Sequence, residues 1–182
     1  MLLFVGRIVK EKDIDDLVKA TGILKRDGYR FKMVFVGNGP MLPQLERECP
    51  DAVFTGYQYG ESLARWYASA DIFTFPSTTE TFGNVILEAQ ASGLPVIGVN
   101  QGGVADLIQD GSTGFIAEAN NPENFAARLK QLLDNPVLAK QMGNKGRRVV
   151  KDNSWESVNS RLFDSYGRTL AQFHNLMDNR AA

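Results

Sequence analysis

Short apolar runs recur at 2–5, 32–36, 52–55, 72–75, 95–99 and 114–117, and between them the apolar positions take up helical spacing. Such runs, rich in β-branched and aromatic residues and bounded by Gly or Pro, suit strands buried on both faces of a parallel sheet. Their alternation with helices predicts a doubly wound α/β sheet of about six strands. Between the first two runs Ile14, Leu17, Val18, Thr21 and Leu24 form one helical stripe that Gly28 ends. Segments 42–48, 61–70, 104–109 and 123–133 supply further helices, and beyond residue 135 the pattern is wholly helical. The last helix, over 154–175, is predicted to start at Ser154 as N-cap and to carry Trp155, Val158, Leu162, Tyr166, Leu170 and Phe173 on one stripe packed outside the sheet. One domain over residues 1–182 is the economical count.

The segment PSTTETFGNVILEAQASGLPVI reads as strand end, glycine turn, helix, glycine stop and strand. Helical spacing starts at Val85 and stops at Gly93 and Pro95, so Glu88 lies on the helix and Glu80 on its entry loop. The N–H groups of Phe82, Gly83, Asn84 and Val85 face out of the helix N-terminus, where the macrodipole favours a phosphate. A carboxylate beside such a pocket accepts hydrogen bonds from the vicinal hydroxyls of a sugar. The pattern therefore favours an anionic, hydroxyl-rich ligand.

Composition removes other chemistries. Twenty Lys and Arg against twenty-one Asp and Glu give a net charge of −1, which does not favour nucleic acid. Cys49 and His174 are single residues of their type, so an internal disulfide, a cysteine metal cluster, a histidine zinc site and a Ser-His-Asp triad are all out of reach. No apolar run approaches the ~20 residues of a membrane span. The first strand begins at once, with no basic flank or cleavage site before it, as in a domain excised from a longer enzyme.

In an open parallel sheet, ligands bind beyond the carboxyl ends of the strands. Gly6-Arg7 with Lys12 follows the first strand, Gly37-Asn38-Gly39-Pro40 the second, Gly56-Tyr57 the third, Pro76 to Glu80 the fourth and Gln101-Gly102-Gly103 the fifth. Together with Tyr67-Ala68-Ser69-Ala70-Asp71, Gly93-Leu94-Pro95-Val96, the Glu80/Glu88 pair and Asp110-Gly111-Ser112-Thr113-Gly114, this ordered set resembles the C-terminal domain of family 4 retaining glycosyltransferases of the GT-B fold, known also as glycosyl transferases group 1. The resemblance covers nearly the whole chain and implies one Rossmann-like half of a GT-B enzyme.

The resemblance implies that Arg7 and Lys12 contact the diphosphate of a nucleotide-sugar donor, where a guanidinium and an ammonium stabilise the charge growing on the leaving group without a metal. Glu80 would contact hydroxyls of the transferred hexose as a positioning residue, and Glu88 the ribose. Gly6, Gly37, Tyr57, Phe82, Gly83 and Asn84 would complete the donor site. No cofactor is implied. The N-terminal acceptor-binding domain of the family is absent from this chain, so donor binding with negligible transfer is expected, because positioning the acceptor is worth ~7–11 kcal/mol of barrier. The full-length enzyme would work in the cytoplasm or peripherally at the cytoplasmic face of a membrane, and the domain face left exposed here would invite dimerisation or aggregation.

Other readings stay open at this level. A free-standing nucleotide-sugar-binding module paired with a separate subunit, or a GT-B phosphorylase or epimerase, would carry the same motifs. A glycosidase would need its two carboxyls ~5–9.5 Å apart across one bond, and the diphosphate ligands argue against it. Asp13-Ile14-Asp15 spells a metal motif of the other large glycosyltransferase fold, but it opens a helix, where acids complement the dipole. Gly37-x-Gly39 lacks the third glycine of a dinucleotide fingerprint, since Leu42 stands there. His174 reads as a surface or packing residue, and Lys145, Arg147, Arg148 and Lys151 as a solvated helix face. Asp106 departs from the glutamate many relatives carry after the paired glycines.

Overall fold

Strand β1 (Leu2–Val5) lies at the centre of a six-stranded sheet in the order β3-β2-β1-β4-β5-β6, and every pairing is parallel. The computed structural model describes residues 1–152 and 155–181. The other strands are β2 (Met33–Val36), β3 (Val53–Phe54), β4 (Ile72–Thr74), β5 (Val96–Val99) and β6 (Gly114–Ala117). β1, β2, β4 and β5 are buried along their whole length, which is why they read as continuous apolar runs. β3 is shorter than its predicted run and only half buried, as suits a sheet edge.

Helices follow the strands: α1 (Ile14–Arg26), α2 (Leu42–Glu48), α3 (Gly60–Ser69), α4 (Asn84–Ala91), α5 (Val104–Leu107) and α6 (Pro122–Asp134). The predicted stripe on α1 is the buried one, with Ile14, Leu17, Thr21 and Leu24 facing inward. Gly28 then takes φ 88° and donates to the Lys25 carbonyl, ending the helix in a conformation that favours glycine. α6 starts at Asn121, whose side chain accepts from the Asn124 N–H, with Pro122 in the first turn.

The core beneath the strand ends is aromatic. Phe4 of β1 stacks on Phe75 at 6.0 Å and 15°, Phe73 lies 6.1 Å from Phe75, and Phe35 of β2 lies 5.9 Å from Phe4. All four rings are essentially fully buried, each worth ~1.5–3 kcal/mol relative to exposure. Thr74, alone among them as a polar residue, donates its hydroxyl to the Leu3 carbonyl at 3.0 Å, so its burial costs little.

The order of strands reverses between β1 and β4. The chain builds outward through β2 and β3, then returns to the other side of β1. That is the topological switch point, where ligands bind in folds of this kind, and the loops leaving β1 and β4 emerge there side by side.

By its internal contacts the chain divides into two units, Met1–Arg148 and Val149–Ala182. The first holds the sheet. Helix α7 (Pro136–Asp152) begins in it, and Gly143 lies so close to the Gly93 carbonyl that a Cβ would approach to 1.9 Å. The second contains α8 (Trp155–Ala181), on which Leu162, Tyr166, Leu170 and Phe173 of the predicted stripe are all exposed. Ser154, the predicted N-cap, lies outside the described residues. No helix among the described residues is long and apolar enough to cross a membrane.

Candidate functional site

The loop leaving β1 first carries Gly6 and Arg7, then a short 3-10 turn at Lys10–Lys12, and it enters α1 through Asp13. The loop leaving β4 runs through Ser77, Thr78, Thr79 and Glu80 to Gly83, the residue before α4. These two loops flank the switch point. Across it Lys12 Nζ contacts Glu80 Oε2 at 2.5 Å, with side chains 14% and 21% exposed. The ammonium also stands 5.4 Å above the ring of Phe75, so the aromatic core supports one side of the pair.

Glu80 is anchored further at its other oxygen. Oε1 accepts from the Gly83 N–H at 3.4 Å, and the Phe82 N–H also helps hold the carboxylate. The Lys12 hydrogen bond, with these backbone donors, keeps the Glu80 carboxyl below its ordinary range despite the opposing effect of burial. Two of the four N–H groups expected to await a phosphate are thus directed to Glu80. Gly83 itself has φ 76° and ψ 45°, a conformation that favours glycine, and a Cβ there would press on the side-chain ends of Leu107 and Ile86. Helix α4 starts one residue before the predicted Val85, and Asn84 and Phe82 are exposed at its entrance.

A second cluster gathers at the exits of β1, β2 and β3. Gly6, Arg7, Gly37 and Tyr57 line one cleft of about 150 Å³. Arg7 is exposed and makes no ion pair or hydrogen bond with the described residues, which leaves its guanidinium available. Gly37, at φ 139°, packs against the Gly6 carbonyl so tightly that a Cβ would lie 1.9 Å from it. Tyr57 is 54% exposed, stacks on Tyr59 at 6.3 Å, and directs its hydroxyl to the Asn38 carbonyl at 3.4 Å.

Glu88 has a partner that the sequence did not reveal. The hydroxyl of Tyr67, on α3 and 2% exposed, donates to Glu88 Oε2 at 2.8 Å. Burial above all, then the Glu88 charge and this hydrogen bond, raise the Tyr67 phenol well above its ordinary value and keep it a donor. The signal was present in the Tyr67-Ala68-Ser69-Ala70-Asp71 motif, but nothing in spacing tied it to Glu88.

Asp13 also departs from expectation. Its side chain makes no capping bond to α1; instead Oδ2 accepts from the Thr78 N–H at 2.8 Å and the Thr78 hydroxyl at 2.7 Å. The reading of Asp13 as a helix-dipole acid is therefore incomplete. Asp106 is exposed on α5. Among the described residues no group of three or more His, Cys, Asp and Glu side chains is arranged to hold a metal.

A larger cavity, about 430 Å³, lies at the opposite end of the sheet, beside Met1, Phe31, Ile72 and Pro95, and holds none of the predicted site residues. Chemistry in this fold belongs at the carboxyl ends, so size does not mark the site here.

A parallel sheet whose switch point gathers a lysine-glutamate pair, an available arginine and a glycine-led helix start defines an α/β ligand-binding domain of the Rossmann-like class. The chain belongs to the glycosyl transferases group 1 family, whose model matches residues 1–149. It is 38% identical over 169 residues to a GDP-mannose-dependent alpha-mannosyltransferase of Corynebacterium glutamicum, covering 92% of this chain and 40% of that protein. It is 34% identical to the sulfoquinovosyl transferase SQD2 of Arabidopsis thaliana, over 89% of this chain and 32% of that one. Among solved structures, sucrose-phosphate synthase from Thermosynechococcus elongatus superposes with a TM-score of 0.81 at 27% identity, over 94% of this chain and 45% of that chain. The chain thus spans less than half the length of these relatives, and the expected GT-B fold class stands.

Proposed function

We propose that this chain is the donor-binding half of a metal-independent, retaining glycosyltransferase that moves a hexose from a nucleoside diphosphate sugar to an acceptor. The observation that carries the reading is the Lys12–Glu80 contact at the switch point, with Arg7 exposed on the same loop. A cation for a leaving diphosphate and a carboxylate for sugar hydroxyls stand side by side where such a donor would bend. The names of the relatives, a GDP-mannose-dependent mannosyltransferase among them, support a nucleotide-sugar donor.

In this reading Arg7 and Lys12 take up the charge that develops on the diphosphate as the glycosidic bond breaks, in the role a divalent cation has elsewhere. Lys12 exchanges part of its contact with Glu80 for phosphate oxygen. Glu80, still held by the N–H groups of Gly83 and Phe82, turns its carboxylate to the hexose hydroxyls. Glu88, fixed by Tyr67, meets the ribose, and exposed Tyr57 and Phe82 offer faces to base and sugar. The acceptor site belongs to a second domain beyond these residues, in an enzyme of the cytoplasm or its membrane face. Titration with nucleoside diphosphates and their sugars in the presence of a chelator tests the reading: saturable binding supports it, and a folded chain plus its acceptor domain that binds none overturns it.

A further inference from the structure

We propose that Asp13 is a positioning residue of the donor site: it clamps the loop after β4 so that Glu80 is presented to Lys12. The inference rests on the donor-site reading for its functional consequence, although the clamp itself is a matter of geometry.

Asp13 sits between the 3-10 turn and α1 with φ 51° and ψ 34°, a left-handed conformation that glycine adopts freely and aspartate less so. An aspartate before a helix ordinarily caps it, and this one does not. Its carboxylate instead reaches across 65 residues of sequence to bind both the N–H and the hydroxyl of Thr78 through one oxygen. Neighbouring bonds run the same way: the Thr79 hydroxyl donates to the Glu11 carbonyl at 2.7 Å and the Ser77 hydroxyl to the same carbonyl at 3.4 Å. From the other side the Gly103 N–H donates to the Glu80 carbonyl at 2.7 Å. A Cβ on Gly102 or Gly103 would come within 2.8 Å of the Thr78 carbonyl and 2.3 Å of that of Thr81. The Ser77–Thr81 backbone is therefore held between two turns. Asp13 adjoins Lys12, and Thr78 lies two residues before Glu80, so one clamp fixes the spacing of the pair.

Asp13→Gly and Asp13→Asn separate conformation from clamping. Glycine accepts the left-handed backbone but has no acceptor, whereas asparagine tolerates that backbone and offers one oxygen to Thr78. Without ligand, the Glu80 carboxyl is followed by NMR titration in the wild-type chain and both variants. Asp13→Asn is expected to keep the low wild-type titration, and Asp13→Gly to move it up toward an ordinary glutamate. With donor, Asp13→Gly is expected to cut the affinity gained by adding the hexose to a nucleoside diphosphate by about tenfold, with no further loss in a Glu80→Ala background. An unchanged Glu80 titration in folded Asp13→Gly, or losses that simply add to those of Glu80→Ala, would overturn the proposal. Should Asp13→Gly not fold, Thr78→Val decides the matter: an upward shift of the Glu80 titration supports the clamp and no shift overturns it. A wild-type chain that binds no nucleotide sugar counts against the donor reading alone, since the titration still judges the clamp.

Discussion

Lys12 and Glu80 meet at 2.5 Å across 68 residues of sequence, one from the loop after β1 and the other from the loop after β4. The sheet makes this contact. Parallel pairing of Leu2 with Ile72 and of Leu3 with Phe73 sets the two strands side by side, so their exit loops meet. The pair has a measurable signature in pH. Glu80 is held below its ordinary value of 4.5, chiefly by the hydrogen bond from Lys12, so the folded chain binds this proton less readily than the unfolded chain. Its stabilisation is full above the ordinary value and is lost as pH falls through the lower folded value. Glu80→Gln should thus cost stability at about pH 7 and progressively less toward about pH 3. Urea denaturation of both proteins across that range checks this, and an equal cost throughout would contradict it.

Arg7 is exposed and makes no ion pair with the described residues, so Arg7→Ala should leave the unfolding midpoint nearly unchanged while weakening nucleoside diphosphate binding by ~1.5–3 kcal/mol, the range for a charged hydrogen bond. Calorimetric titration of the variant measures the loss. Unchanged affinity would remove the diphosphate role.

Glu80→Ala should weaken binding of a nucleotide sugar more than binding of the bare nucleoside diphosphate, because only the former presents the hexose. Paired titrations with both ligands separate the two. Equal losses would count against a sugar contact.

In the proposed donor site, Tyr67 would bear on the ribose end through Glu88. Tyr67→Phe removes the 2.8 Å hydrogen bond to Glu88 with little change of volume, so nucleotide affinity should fall by ~0.5–1.5 kcal/mol. In a Glu88→Gln background the same substitution should cost much less, since the charge it steadies is gone. Full additivity in this double-mutant cycle would show that Tyr67 does not act through Glu88.

Gly103 is sterically bound to the site loop. Gly103→Ala would drive a Cβ to 2.3 Å from the Thr81 carbonyl, which is backbone and cannot rotate away. A cost of ~1–3 kcal/mol in denaturant unfolding is expected, together with weaker nucleotide-sugar binding. A neutral variant would mean that the loop moves freely.

The sheet was legible because most of it is buried on both faces: four of the six strands are buried along their whole length, and Gly or Pro marks most boundaries. Half-buried β3 came out shorter than its run for want of such burial. The placement of Arg7 and Lys12 on the loop after β1 and of Glu80 on the loop after β4 was legible from the strand ends. Asp13 and Tyr67 were not, because a carboxylate before a helix and a tyrosine inside one have ordinary local uses, and their partners lie 65 and 21 residues away. The apolar stripe on α8 is real as a pattern, but Leu162, Tyr166, Leu170 and Phe173 remain exposed, so periodicity alone did not establish burial.

The most direct test is calorimetric titration of this chain with UDP, GDP and ADP and their hexose conjugates in buffer containing a metal chelator. The account predicts saturable binding of one nucleotide family, tighter for its sugar, and abolished or strongly weakened by Arg7→Ala with Lys12→Ala. Binding that requires a divalent cation, or that survives loss of both cations, would contradict it.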